Sequence, residues 1–258
     1  MKHFYVINLF FIFIFILPTS KVQAQKRYRD DIYEQVDSLK NIQYGSAINI
    51  KNVNEQLFLD IFKPPLEDTN TKRPLLIFIH GGGFKNNTKT TLLSTLICTS
   101  FAKKGYVTAT IDYRLGVENN GAIKDYHEAM YRAQQDGKAA IRFFKKNAEL
   151  YGVDSSQIFI TGSSAGAMAT LAMAYMDENE IPADIDQTKW GSLEGQSGNE
   201  QYSSKVKGVM NNWGALIDYK WIQKGDIPLF NVAGTADKTV PYDSASDYHS
   251  FKYGPYIL

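Results

Sequence analysis

Residues 158–173 constrain the fold more strongly than any other part of the sequence. Four β-branched and aromatic residues run into Gly-Ser-Ser-Ala-Gly at 162–166, and a stretch rich in Ala, Met and Leu follows at once. This pattern predicts a strand, a sharp turn and a helix. A side chain on either glycine would collide with neighbouring backbone, so Ser164 is expected at an exposed apex. The N–H groups behind it, Ala165 first, would lack helical acceptors and could bind developing negative charge.

A second glycine-rich turn follows an earlier apolar strand. Residues 75–79 are apolar throughout, as in a strand covered on both faces, and His-Gly-Gly-Gly-Phe follows at 80–84. Three consecutive glycines cost conformational entropy, so bare backbone must be needed there. We predict that the N–H groups of Gly82 and Gly83 receive an oxyanion, and that His80 braces the loop. A flexible surface turn is the alternative, whereas a nucleotide loop would need a Gly-Lys-Ser/Thr sequence that is absent here.

Strands and helices alternate along most of the chain, which predicts an α/β fold with a mostly parallel sheet. An N-terminal antiparallel hairpin is expected from residues 44–50 and 56–62. The polar residues 25–42 are interpreted as a solvated leader or a surface helix. Further strands are predicted at 106–111, 206–211 and 228–233, and helices at 91–104 and 125–147.

The N-terminus has the pattern of a secretory signal peptide. A short positive start precedes about 14 apolar residues, and Val-Gln-Ala at 22–24 is a small-residue cleavage pattern. Cleavage after Ala24 would leave a domain from 25 to 258, without an integral membrane span and secreted or periplasmic. An uncleaved membrane anchor is the alternative. Loss of Lys2 and Lys21 leaves 26 basic and 27 acidic residues, a balance that attracts no nucleic acid.

Cys98 is the single cysteine, so the sequence offers no internal disulfide and no cysteine cluster for a metal. Its apolar helical context favours a buried, inert thiol. We expect no metal and no cofactor.

Four motifs occur in an order that resembles the α/β-hydrolase fold. They are His-Gly-Gly-Gly-Phe at 80–84, Asp-Tyr-Arg-Leu at 112–115, Asn147 with Tyr-Gly-Val-Asp at 151–154, and Gly-Ser-Ser-Ala-Gly at 162–166. The chain is most similar to the carboxylesterase and hormone-sensitive-lipase-like esterases, including secreted bacterial enzymes that release acyl or feruloyl groups from plant polysaccharides. The resemblance implies a Ser164 nucleophile and an oxyanion hole made by Gly82, Gly83 and Ala165.

Asp237 is the candidate acid of this site. It follows the 228–233 strand, and the carboxyl edge of a parallel sheet is where ligands bind. The family carries its triad Asp in a Gly-x-x-Asp-x-x-Val-Pro context, which residues 234–241 match. A turn-forming Asp is the alternative.

The position of the catalytic histidine is the open question. Triad order in this fold is Ser, Asp, His, and His249 is the single histidine beyond Asp237, twelve residues on. A crossover of a dozen or more residues and a further strand should separate the two. Residues 243–258 are interpreted as the beginning of that crossover. We therefore expect the catalytic histidine, the last strand and the final helix to lie beyond residue 258, and an inactive copy is the alternative.

The sequence thus predicts a serine carboxylesterase that acts on a small-molecule or carbohydrate ester. The rival is a non-enzymatic hydrolase-fold protein that binds a partner or glycan in the same cleft. Residues 177–204 could be a cap over the site or an unstructured loop. The acyl group, the alcohol and the oligomeric state are left open.

Overall fold

The computed structural model describes residues 26–117, 122–240 and 242, and the backbone of 245–248 and 251–253. Among these residues nine strands occur: β1 Asp37–Ile48, β2 Asn54–Lys63, β3 Arg73–Ile79, β4 Val107–Ile111, β5 Val153–Ser163, β6 Gly208–Asn212, β7 Leu229–Val232, β8 Ala245–Tyr248 and β9 Phe251–Tyr253. The same described residues form five α-helical segments: α1 Leu92–Lys103, α2 Ile123–Lys146, α3 Ala148–Tyr151, α4 Ala165–Tyr175 and α5 Gln187–Trp190. Two short 3₁₀ turns lie at Glu178–Glu180 and Tyr219–Trp221.

Seven strands form one mixed sheet in the order β1-β2-β4-β3-β5-β6-β7. Strands β1 and β2 pair antiparallel, and β2 pairs antiparallel with β4. The remaining pairs, from β4 to β7, are parallel. The predicted fold, a mostly parallel sheet flanked by helices with an N-terminal antiparallel hairpin, is confirmed.

The central strands are buried on both faces, as their apolar sequences predict. All five residues of β4 are buried, and so are six of the seven in β3. Helix α2 packs on α4 on one side of the sheet. Its predicted apolar face lies in the core, with Ala129, Ala133, Ala140 and Phe144 fully buried and Phe143 packed against them. The parallel strands therefore bring their carboxyl ends to a single edge.

One sequence interpretation needs correction. Residues 37–42 belong to β1 and not to a leader or surface helix, because Asp37 already pairs with Lys63 of β2. The short strands β8 and β9 pair antiparallel with each other, so the backbone is extended at 245–248 and 251–253. The interpretation of residues 243–258 as the beginning of a crossover stays a prediction.

Some predictions fall on residues that the structure does not describe. The signal peptide at 1–24 and His249 lie outside the described residues, so both stay predictions. In the part of the chain that is described, no helix is long and apolar enough to cross a bilayer.

The segment of residues 177–204 is ordered and packs along α2 and β1. Its Asp184 contacts His127, its Trp190 is buried, and its Glu194 receives hydrogen bonds from Lys138 and Arg142. The interpretation as an unstructured loop is therefore wrong.

Candidate active site

Ser164 lies at a strained turn between β5 and α4. Its backbone has φ 52° and ψ −123°, in the positive-φ region that non-glycine residues rarely adopt. A Cβ on Gly162 would lie 2.4 Å from the carbonyl carbon of Gly166, and one on Gly166 would lie 2.2 Å from the oxygen of Ile79. The predicted need for both glycines is thus confirmed, and the strain is held by tight packing.

Backbone hydrogen bonds fix this turn from both sides. The Ser164 N–H donates to the carbonyl of Asn212 at 3.1 Å, and the Ser164 carbonyl accepts from Met168 at 3.0 Å. The side chain of Asn212 donates in turn to Thr161 and to the carbonyl of Gly162. Strand β6 therefore holds the nucleophile turn by both its backbone and a buried amide, a role that the sequence did not indicate.

The glycine loop after β3 lies directly against the nucleophile. A Cβ on Gly81 would lie 3.2 Å from the Cβ of Ser164. Gly82 has φ +119°, and a Cβ there would lie 2.3 Å from the carbonyl oxygen of Asn86. Gly83 has φ +61° and open space around its Cβ position. A side chain at position 82 would therefore meet both backbone strain and a steric clash, whereas one at position 83 would meet backbone strain alone.

The proposed oxyanion donors are unused in the described structure. Within residues 26–117 and 122–240, the N–H groups of Gly82, Gly83 and Ala165 have no hydrogen-bond acceptor. Ala165 is the first residue of α4, where helical acceptors are lacking. The loop and the elbow therefore both carry donors that are unpaired in this part of the chain, and their role as an oxyanion hole stays a prediction.

His80 braces the glycine loop from beneath. The residue is 1% exposed, and its Nδ1 lies 2.7 Å from the carbonyl oxygen of Gly81. Its ring stacks on Tyr113 at 4.5 Å, and the Tyr113 hydroxyl donates to the His80 carbonyl at 3.0 Å. Burial lowers the pKa of His80 below its ordinary value. The ring is therefore neutral at pH 7 and donates from Nδ1 to Gly81.

Asp237 lies in a turn just after β7, at the same sheet edge. Its Oδ1 accepts hydrogen bonds from the N–H groups of Thr239 at 2.7 Å and Val240 at 3.0 Å. Val240 packs against Ala215, and so does Met168, which lies one turn after Ser164. Ala215 therefore links the Asp237 turn to the nucleophile helix, and the carboxylate does form the turn that the alternative interpretation proposed.

Neither described histidine is hydrogen-bonded to Ser164. His127, on α2, bonds through Nδ1 to both carboxylate oxygens of Asp184 at 2.9 Å. No hydrogen bond joins His80 or His127 to Ser164 in the described part of the chain. The structure thus packs the glycine loop on Ser164 and places Asp237 after another strand at the same sheet edge, while the general base is left unassigned.

Cys98 is buried, and burial raises its pKa to about 12. The thiol is therefore protonated and inert at neutral pH, which confirms the sequence interpretation. Among the described residues, no group of three or more His, Cys, Asp or Glu side chains is placed to hold a metal.

Comparisons with known proteins converge on esterases. The BD-FAE family matches residues 59–219 of this chain, which is more than half of it. Carboxylesterase 5A of Homo sapiens is 31% identical over 117 residues, which cover 45% of this chain and 20% of that protein. The crystal protein of Dictyostelium discoideum is 27% identical over 63% of this chain and 28% of its own length. The chain thus spans less than a third of either curated relative.

A solved structure gives the same result for the fold. Thermogutta terrifontis esterase 2, phosphonylated by cyclosarin, superposes with a TM-score of 0.56 and 25% sequence identity. The likeness covers 78% of this chain and 73% of that one.

Proposed function

Because the chain belongs to the BD-FAE family of esterase-like α/β-hydrolases, we propose that it hydrolyses carboxylic esters through an acyl-enzyme on Ser164. The predicted resemblance to serine esterases of this fold is confirmed by the family match and by the esterase structure. One observation supports the mechanism above all others. The strained Ser164 turn packs directly on Gly81, and the next two residues of the glycine loop carry N–H groups that are unpaired in the described part of the chain.

In the proposed reaction, Ser164 loses its proton to a histidine base and its Oγ bonds to the ester carbonyl carbon. The oxyanion of the tetrahedral intermediate accepts hydrogen bonds from the N–H groups of Gly82, Gly83 and Ala165. Each such donor contributes about 3 to 4 kcal/mol to transition-state stabilisation. The imidazolium then gives its proton to the leaving alcohol, and an activated water hydrolyses the acyl-enzyme.

Asp237 is proposed to orient the imidazole and stabilise its charged form. Its Oδ1 is used by the turn, which fixes the carboxylate in place beside α4. The same hydrogen bonds that support the turn-former interpretation would thus pre-organise the acid.

The proposed substrates are small-molecule or carbohydrate esters, in particular acyl or feruloyl groups on polysaccharides, and no cofactor takes part. We place this activity outside the cytoplasm, secreted or periplasmic, on the basis of the signal-peptide pattern at residues 1–24. A non-catalytic role in binding is the second candidate. It is favoured by one observation, namely that no described histidine is hydrogen-bonded to Ser164.

Hydrolysis of p-nitrophenyl butyrate by the full-length protein tests the proposal. Ser164→Ala should lower kcat/KM by at least about 10³-fold, because the nucleophile is lost. Ser163→Ala, which changes the neighbouring serine, should retain most of the activity. Equal activity in wild type and Ser164→Ala would reject the proposed mechanism, and a protein without any hydrolysis would favour the binding role.

A further inference from the structure

A cavity of about 590 Å³ lies between the turn of the β1–β2 hairpin, α2 and the segment around Trp190. We call it the hairpin cavity. Its lining includes Asn54, Arg114, Gln135, Trp190, Gln196 and Ser197. The volume falls within the range of about 300 to 1,000 Å³ that is typical of small-molecule sites. None of the proposed catalytic groups lines it, so it is separate from the Ser164 site.

The hairpin cavity opens at the same sheet edge as the candidate active site. Leu59 of β2 pairs with Ile111 at the carboxyl end of β4, so Asn54 projects past that end. Arg114 follows β4 by three residues. Strand β4 lies two positions from β5 in the sheet, which corresponds to a separation on the order of 10 Å. A polymeric ligand could therefore reach both sites along one edge.

The side chains at the floor of the hairpin cavity are held by hydrogen bonds within the protein. Arg114 donates to Asp136 at 3.0 Å, to the carbonyl of Ile48 at 2.9 Å and to Gln135 at 3.2 Å. Gln135 donates to the carbonyl of Trp190 at 2.9 Å. Such a network is pre-formed, so a ligand would pay little to order it.

The rim, in contrast, carries polar groups without partners. In the described part of the chain, the side chains of Ser46, Asn54 and Gln196 make no hydrogen bond, and Asn54 and Gln196 are exposed. Amide and hydroxyl groups that make no hydrogen bond within the protein can bind the hydroxyl groups of a ligand.

The chemistry of the lining selects a neutral, hydroxyl-rich ligand. No carboxylate, thiol or imidazole lines the cavity, so it offers no ligand set for a metal and no partner for a cationic group. The charge of Arg114 is neutralised by the buried Asp136. Lys189 lies over the Trp190 ring at 4.4 Å, at the exposed rim. The neutral amides and hydroxyls of the lining are suited to the hydroxyl groups of a sugar.

We propose that the hairpin cavity binds a neutral glycosyl unit of the carbohydrate that carries the ester. The assignment of this unit to an ester substrate rests on the proposed function, whereas saccharide binding does not. The cavity would hold one part of an oligosaccharide while another part carries its acyl group to Ser164. Binding can therefore be measured in a protein that performs no hydrolysis.

Calorimetric titration of the full-length Ser164→Ala protein tests this proposal. The probes are xylotetraose and cellotetraose as neutral oligosaccharides, tetragalacturonate as an anionic one, and glycerol as a plain polyol. At least one neutral tetrasaccharide should bind saturably at millimolar concentrations or below, more tightly than tetragalacturonate and glycerol. Asn54→Ala and Gln196→Ala should each weaken that binding by about fivefold, as expected for one lost hydrogen bond.

One further variant controls the test. Gln201→Ala changes an exposed glutamine of the same segment outside the cavity, and it should leave binding unchanged.

Three results would overturn the proposal: no saturable binding of either neutral tetrasaccharide, tighter binding of tetragalacturonate, or binding that the rim variants do not change. The ester assay separates this proposal from the proposed function. If the wild type binds a saccharide but hydrolyses no ester, the proposed function is rejected and the proposed saccharide site stands. If it hydrolyses the ester but binds no saccharide, the saccharide site is rejected and the proposed function stands.

Discussion

Ser164 and Asp237 follow two strands of one parallel sheet, yet the two strands are held in different ways. Strand β5 ends in four buried residues, and its turn is wedged between β3 and β6 with side chains excluded at two glycines. Strand β7 alternates between half-buried and exposed residues, with Phe230 62% exposed. Asp237 is fixed mainly by hydrogen bonds within its own turn. The nucleophile is therefore positioned by the core and the acid by local structure.

This difference implies that the two regions respond differently to substitution. Changes around Ser164 should alter stability and catalysis together, because the same close contacts serve both. Changes at Asp237 should alter catalysis with little loss of stability, because few buried contacts depend on the residue.

The largest expected effect is at Asp237, where a substitution should change catalysis without changing stability. Asp237→Asn should lower kcat/KM by about 10³- to 10⁴-fold, because a neutral amide cannot stabilise an imidazolium. The amide oxygen can still accept the turn hydrogen bonds, so the free energy of unfolding should change by less than about 0.5 kcal/mol. Ester kinetics and denaturant unfolding measure the two quantities.

Asp218→Asn is the matched control, because Asp218 also accepts a backbone N–H in an exposed turn. It should leave both quantities unchanged. If Asp237→Asn kept nearly full activity, Asp237 would be a turn former and nothing more.

The next effect concerns the oxyanion loop. Gly82→Val should lower kcat by about 10²- to 10³-fold, because the new side chain would displace the loop from its contact with Asn86. Gly225 has a similar φ of +104° with open space around its Cβ position, so Gly225→Val controls for backbone strain alone. Equal kcat values for the two variants would show that the glycine loop is a plain turn.

A pair of alanine substitutions compares the two regions directly. Gly166→Ala places a Cβ 2.2 Å from the Ile79 oxygen and should reduce the free energy of unfolding by about 3 kcal/mol. In Gly234→Ala the new Cβ would lie 3.9 Å from its nearest atom, the Cβ of Asp237. This variant should change the free energy of unfolding by less than about 1 kcal/mol. Urea denaturation of both variants gives the comparison. Similar losses of unfolding free energy in the two variants would contradict the claim that core packing positions Ser164 but not Asp237.

The smallest expected effect is at His249. Its spacing of twelve residues from Asp237 predicts that it is not the general base. In the full-length protein, His249→Ala should therefore change the rate of p-nitrophenyl butyrate hydrolysis by less than about twofold. Robust turnover that His249→Ala abolishes would identify His249 as the base.

The parts of the fold that the sequence predicted are those set by local pattern. The strand, turn and helix around Ser164 follow from residue types within one short segment, and the glycines are required by contacts that this geometry always creates. The buried strands β3 and β4 were evident from continuous apolar runs.

The parts that were missed depend on contacts between distant segments. The start of β1 at Asp37 is polar and acquires its strand conformation by pairing with Lys63. The support of Ser164 by Asn212, and of His80 by Tyr113, each joins residues more than 30 positions apart. Two asparagines at the end of the predicted 206–211 strand were the available signal for Asn212, since polar groups there face the ligand edge.

The most direct test of the central claim is to find which residue an organophosphate modifies. Paraoxon should phosphorylate the full-length protein once, and peptide mass mapping should place the adduct on Ser164, because that hydroxyl lies beside the unpaired oxyanion donors. Ser164→Ala should abolish the adduct and Ser163→Ala should retain it. An adduct on another residue, or equal modification of the Ser164→Ala protein, would contradict the assignment of Ser164 as the nucleophile.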